Sequence, residues 1–365
     1  MMNNDIQSMA RRGQRYAGRL AGIGAAATVA LAWNGTKEMI LAFHFTLIAC
    51  LAPAVGCLVF TLIHRATGGQ WARGLRPFLR AGSALLPWIW VCSLPLLLIW
   101  RSAEVSPLAG DSVWAYEGIR LLALRGLVIG GVFFWLSWAI SLERGNDRDA
   151  TQNRHPWVGP VGLIVTVFTL TILADDWIES GQAGWHSTAF PVVWIASQCV
   201  AGLALCVLCA LLTGSNPSEK GVAGRPLGND WGNLLLATVF FWSYVSFGEF
   251  LIIWSGNKPD EIAWYLSKEQ GGWKYLAPAL VAGNFLVPFF CLLSRNFKEK
   301  ASSLIGLSVA LAVGQVLYAA WLVLPEGYPL SADGSLISLA CLLAGAGLFL
   351  HQFCRLVRRA EGGQR

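Results

Sequence analysis

Hydrophobic residues run along this chain in long unbroken blocks, and short charged clusters separate the blocks. Within a block the apolar character does not alternate. Residues 126–138 are apolar on every face, which excludes a lipid-facing barrel strand, whose period is two. Apolar stretches of about 20 residues predict helices that cross a bilayer core roughly 30 Å thick, with backbone groups satisfied inside each helix. With charges as punctuation, ten spans are predicted, at 20–33, 39–63, 81–100, 121–142, 156–174, 188–212, 231–254, 275–293, 302–324 and 336–354. The first is short and rich in Ala and Gly, and a secretory signal peptide is its competing reading. No clear polar cleavage region separates it from the next span, which favours a retained helix.

The expected fold class is all-α: a polytopic transmembrane helical bundle of about ten spans, built as two packed four-helix bundles plus a flanking helix pair. A single integral membrane domain covers 1–365, with a short cytoplasmic N-terminal segment at 1–18 and a basic C-terminal tail at 355–365. No connection is long enough for a folded extramembrane domain, and no internal repeat is visible.

Composition strengthens the membrane reading. The chain is 55% hydrophobic and 13% charged, about half the charged fraction usual in a soluble domain. That balance excludes a soluble enzyme and a disordered chain. The net charge of +6 is a topology signal rather than a nucleic-acid footprint, because the cations are sorted by side. Clusters such as Arg11-Arg12-Arg15-Arg19, Arg73-Arg76-Arg80 and Arg355-Arg358-Arg359 put 20 of the 27 Lys and Arg on one face. Positive residues favour the cytoplasmic side, so both termini are expected there. Trp33, Trp100, Trp157, Trp177 and Trp254 sit where spans end, as interface anchors should.

Ionisable residues inside spans are expensive and are therefore candidates for function. Glu249 lies five residues before the outer end of its span, roughly 7–8 Å deep at about 1.5 Å per residue. His44 and Arg125 enter their spans to similar depth from the same side. Asp175 and Asp176 close another span there, followed by Trp177, Glu179 and His186. A polar half-channel open to the outer face is the functional reading: Glu249 binds protons, His44, Asp175 and Asp176 connect it outward, and Arg125 tunes its pKa. Plainer readings stand beside it. Glu249 and Arg125 form a structural ion pair, or Arg125 snorkels to the headgroups. Asp175 and Asp176 are helix-end residues in water, and His44 is a satisfied interhelical hydrogen-bonding group.

Other chemistry has little footing. The nine Cys lie almost entirely within spans and behave as small apolar residues, and Cys206-x-x-Cys209 is not followed by His. His64 and His351 are the one cytoplasmic-side His pair, too little for a haem reading. No metal-ligand motif, phosphate loop, dinucleotide fingerprint or zinc-protease motif is present.

Three stretches resemble the NrfD/polysulfide-reductase-like membrane proteins, and within them the ActF-type subunit of bacterial alternative complex III, a quinol:cytochrome c oxidoreductase. They are His64-Arg65-Ala66-Thr67-Gly68-Gly69-Gln70-Trp71 with Arg76, Ala174-Asp175-Asp176-Trp177-Ile178-Glu179 with Gly184-Trp185-His186-Ser187-Thr188, and the run from Ser243 to Pro259 that continues to Trp264-Tyr265-Leu266. The resemblance reaches across about two hundred residues, in a chain that is compact for that family. It implies an electron-transport membrane subunit that supports quinol oxidation and proton translocation in a respiratory chain. It implies as partners a homologous NrfD-like quinol-binding subunit and periplasmic iron–sulfur and haem c subunits. It also implies no covalently bound cofactor here, with menaquinol or ubiquinol as an expected ligand. The family carry-over falls on Glu249, Asp175, Asp176 and His44. Two rivals remain: a stand-alone secondary transporter, for which Pro278 and Pro288 within one span are the support, and a scaffold subunit without its own site.

Overall fold

The structure is a computed structural model that describes residues 2–31, 36–99, 118–141, 155–179, 185, 187–220, 224–326 and 332–362. Helices account for nearly all of it, and among the described residues no strand forms beyond an isolated bridge between Lys220 and Pro226. In chain order the helices are α1 (Met2–Leu31), α2 (Thr36–Thr67), α3 (Arg76–Ser83), α4 (Leu86–Ile99), α5 (Gly118–Ser141), α6 (Val158–Trp177), α7 (Phe190–Leu212), α8 (Leu227–Gly256) and α9 (Pro259–Lys268). Next come α10 (Trp273–Val281), a π-helical turn (Ala282–Leu286) and α11 (Val287–Leu293) in one continuous rod. They are followed by α12 (Arg295–Glu299), α13 (Ala301–Val323) and α14 (Ala332–Gly362).

Eight of these elements are long and apolar enough to cross a membrane: α2, α5, α6, α7, α8, the α10–α11 rod, α13 and α14. This is the pattern of a multi-pass membrane protein. The other two expected spans take different forms. Residues 20–31 belong to α1, which carries Arg11, Arg12, Arg15 and Arg19 ahead of its apolar part, so that part is short, and residues 32 and 33 lie outside the described residues. Residues 81–100 are broken between Ser83 and Leu86, with Pro87 in the first turn of α4, where its missing N–H leaves no bond unmade. Of the segments expected as an N-terminal segment and a C-terminal tail, residues 2–18 and 355–362 are the helical ends of α1 and α14.

The middle of the bundle is the α2–α7 crossing. A Cβ on Gly56 would overlap the Gln198 carbonyl oxygen, and one on Gly202 would meet the Gly56 backbone. The two backbones therefore touch, which is how helices gain contact in lipid, where burial against water supplies no driving force. Cys57 and Cys206 meet in the same crossing, their sulfurs 3.5 Å apart. Around it, α3, α4 and α6 lean on α2, while α8 and α13 lean on α7. α1 runs antiparallel along α14, with Gly24 against the Ala344 backbone and Gly347 against Ala21.

The bundle has two chemically distinct ends. One gathers the arginine-bearing termini: Gly159 abuts Ala66, Trp231 donates its indole N–H to the Trp71 carbonyl, and Ser218 bonds the Glu299 carbonyl. The other end gathers His44, Trp177, Ser187, Glu249, Trp264 and Trp321.

Candidate functional site: a carboxylate pair at one end of the bundle

Glu249 is buried near the end of α8, although Phe247 and Leu251, two residues to either side of it, are exposed on the outside of that helix. Helical spacing explains the contrast, since positions two apart face different sides. Its partner comes from the segment preceding α7. The Ser187 hydroxyl donates to Glu249 Oε1 at 2.6 Å, while the Ser187 backbone N–H donates to Glu179 Oε2 at 2.9 Å. The same hydroxyl accepts the Phe190 N–H at 3.2 Å, in the local turn that Ser readily forms ahead of a helix. One serine thus holds two carboxylates from two parts of the chain. Glu179 lies just past the end of α6 and is itself buried. Burial pushes its pKa up to about 7, with Asp175 and Glu249 adding to the rise and the Ser187 N–H opposing it.

A layer of aromatic rings encloses this end. Trp185 and Trp264 stack at 4.3 Å between centroids, nearly parallel, and both are almost completely buried. Trp264 meets the edges of Tyr265 and Trp321, and Tyr265 meets Phe250, the residue after Glu249. Trp264 and Tyr265 belong to α9, which Lys268 ties down. Its buried Nζ donates to the carbonyls of Trp321 and Leu322, each at 3.1 Å, and lies 4.4 Å from the Trp264 ring centre. Those carbonyls belong to the last turn of α13 and have no intrahelical donor, so a lysine there caps the helix with a charge-assisted bond.

The residues singled out from sequence fall into two groups. Arg125 and Asp176 form an ion pair at 2.7 Å between α5 and α6, with only 9% of the Asp176 side chain exposed. Asp175 is half-buried beside it. His44 is buried, hydrogen-bonded to the Trp177 backbone, with its ring edge-on to Trp177 at 6.2 Å. Trp90 stacks on the same Trp177. The expected pairing of Arg125 with Glu249 is therefore corrected: the guanidinium serves Asp176, and Glu249 is held by Ser187. Snorkelling by Arg125 is corrected by the same contact, and Asp176 is not a helix-end residue in water. His44 is placed as an interhelical hydrogen-bonding group. His186 lies outside the described residues.

The interface-anchor reading of Trp is also corrected in part. Trp157 and Trp254 are exposed as anchors would be, but Trp177 is buried, and Trp33 and Trp100 lie outside the described residues. Ser187, Tyr265 and Lys268 carried no signal as site residues when read singly. Ser187 and Tyr265 lie inside the stretches of family resemblance, in Trp185-x-Ser187 and Trp264-Tyr265, and Lys268 lies outside them.

Among the described residues no group of His, Cys, Asp and Glu is arranged to hold a metal ion. A quinone ring needs an open apolar slot beside its polar anchor. The indoles nearest the carboxylate pair face each other and are almost completely buried, so neither offers a free face. The residues around the carboxylate pair therefore do not form such a slot. No protein-family model matches this chain, and no curated protein matches it.

Proposed function

We propose that this chain is a proton-handling membrane subunit of a quinol-oxidising respiratory assembly of the alternative-complex-III kind, in a bacterial inner membrane. The arginine-rich end, with both termini, then faces the cytoplasm, and the carboxylate end faces the periplasm. The ten-span reading counts α1 and the α3–α4 pair with the eight long spans. The observation that supports this reading most directly is the Glu249–Ser187–Glu179 bridge. Two buried carboxylates sharing one hydrogen-bonding serine are easier to hold with a single proton between them than with two negative charges. Such a pair can take up a proton and release it, and burial pushes the carboxyl of Glu179, outside the spans, up to about 7. Ser187 fixes the distance, and Trp185 and Trp264 limit water. Quinol and the redox centres belong to partner subunits: a homologous NrfD-like chain and periplasmic iron–sulfur and haem c proteins.

The test is purification through a tag on this chain, followed by proton-release measurements on Glu249→Gln. Co-purification with haem c and iron–sulfur subunits, together with proton release lowered at least about tenfold in an intact assembly, is the expected result. An assembled variant that moves protons like the wild type overturns the role of Glu249. Unchanged proton release with reduced yield of the complex supports a scaffold instead.

One observation favours the rival transporter reading. The rod formed by α10 and α11 is interrupted halfway by a π-helical turn between Pro278 and Pro288, as transporter helices are at their substrate sites. Asn284 in that turn is buried against Gly314, and its side-chain N and O make no hydrogen bond among the described residues. A chain that purifies alone and carries a solute in vesicles would establish that reading.

A further inference from the structure

At the arginine-rich end, a cavity of about 540 Å³ lies between the start of α1 and the last turns of α14. Gln7, Arg11 and Gln14 line one wall, and Arg355, Arg358 and Arg359 the other. The spacings are helical. Residues 7, 11 and 14 fall on one stripe of α1, and 355, 358 and 359 fall on the facing stripe of α14. Both walls are therefore presented by rigid elements. The register is locked just above them: Gly13 lies against Cys354, Gly18 lies against His351, and His351 hydrogen-bonds Gln14 through both ring nitrogens. Gln14 Oε1 accepts from Arg358 Nη1 at 2.6 Å, which orients that guanidinium.

Four guanidiniums thus converge on one space, and none of them has a carboxylate partner among the described residues. Elsewhere at this end a cation does find one, as Arg73 does in Glu219. Convergent arginines repel one another unless an anion sits between them, and their planar forks match the paired oxygens of a phosphate. Further along the same pair the side of the helices that carries the cavity turns apolar: Leu348, two turns before Arg355 on α14, and Val29 of α1 are exposed. Phosphate groups above and apolar surface below describe an acidic phospholipid rather than a soluble phosphate.

We propose that this cavity binds the phosphate headgroup of an acidic phospholipid, cardiolipin or phosphatidylglycerol, and that the lipid joins α1 to α14 at the membrane surface. A lipid-facing basic pocket between helices is a physically sufficient recognition site, with each cation near the surface adding to the affinity.

The test uses the full chain in nanodiscs of phosphatidylcholine doped with spin-labelled cardiolipin, comparing two triple variants. R11Q/R355Q/R359Q removes three cations that line the cavity. R12Q/R15Q/R19Q removes three from the same end but outside it. The first should lower the preference for cardiolipin over phosphatidylcholine about tenfold or more, and the second should change it by less than about twofold. Thermal melting in a neutral detergent checks that both variants fold. If the cavity triple does not fold, the single variants R355Q and R359Q replace it, each expected to lower the preference about threefold. Equal losses in both triples would mean a diffuse surface charge and overturn the site, as would no loss in the cavity variants. Displacement of the labelled lipid by millimolar inorganic phosphate would show a soluble anion to be the ligand and overturn the lipid assignment.

Discussion

The two ends of this bundle treat charge in opposite ways. At one end Glu179, Glu249, Asp176 and Lys268 are buried, and each is met by a specific donor or acceptor. At the other, Arg11, Arg12, Arg15, Arg355 and Arg359 are exposed. Two ion pairs make the contrast concrete. Arg125 and Asp176 meet at 2.7 Å with 24% and 9% of their side chains exposed, whereas Arg73 and Glu219 meet at 3.5 Å with 51% and 52% exposed. A pair held in water is screened and adds little. A pair held out of water leaves a stranded charge when one partner is lost. Burial, rather than the number of charges, separates the end that can do chemistry from the end that sits at a surface.

Substitutions at the buried end should therefore be costly, and equivalent ones at the exposed end should not. Arg125→Leu should destabilise most, by about 3 kcal/mol, because Asp176 is left without its guanidinium. Denaturation in micelles measures it, and adding Asp176→Asn should recover part of the loss. Lys268→Met should cost about 2 kcal/mol, since the stem still packs but two carbonyls at the end of α13 lose their donor. Denaturation in the same micelles measures the loss, and faster amide hydrogen exchange across α9 would report its loosening.

Glu179 sharpens the contrast through pH. Its carboxyl titrates near 7 in the folded chain against 4.5 when free, so the folded state holds the proton more tightly. The stability it contributes is complete below about pH 4.5 and is lost as pH rises through about 7. Melting curves across that window should show a decline of roughly 1–2 kcal/mol, discounted for partial solvation, and Glu179→Gln should flatten it. A slope that survives the substitution would place the titrating group elsewhere. The smallest effect belongs to Arg73→Gln, which should change stability by less than about 0.5 kcal/mol. A loss as large as that of Arg125→Leu would erase the distinction between the ends.

The sequence alone determined that this is a helical bundle with membrane-length spans. Apolarity on every face of a 20-residue stretch is a local property, and in lipid only a helix satisfies such a backbone. It also marked Glu249, Arg125, Asp175, Asp176 and His44, because an ionisable group in an apolar run stands out without any knowledge of neighbours. The tertiary structure decided who meets whom. Ser187, a plain loop serine in the sequence, became the bridge between two carboxylates, and Arg125 went to Asp176 rather than Glu249. Trp177 became buried core rather than interface, while Trp254 stayed outside. Helical period states which face of a helix is special but not which helix lies against it. That choice follows from packing across the bundle, such as the backbone contact of Gly56 with Gly202, and it places side chains far apart in the chain within hydrogen-bonding distance.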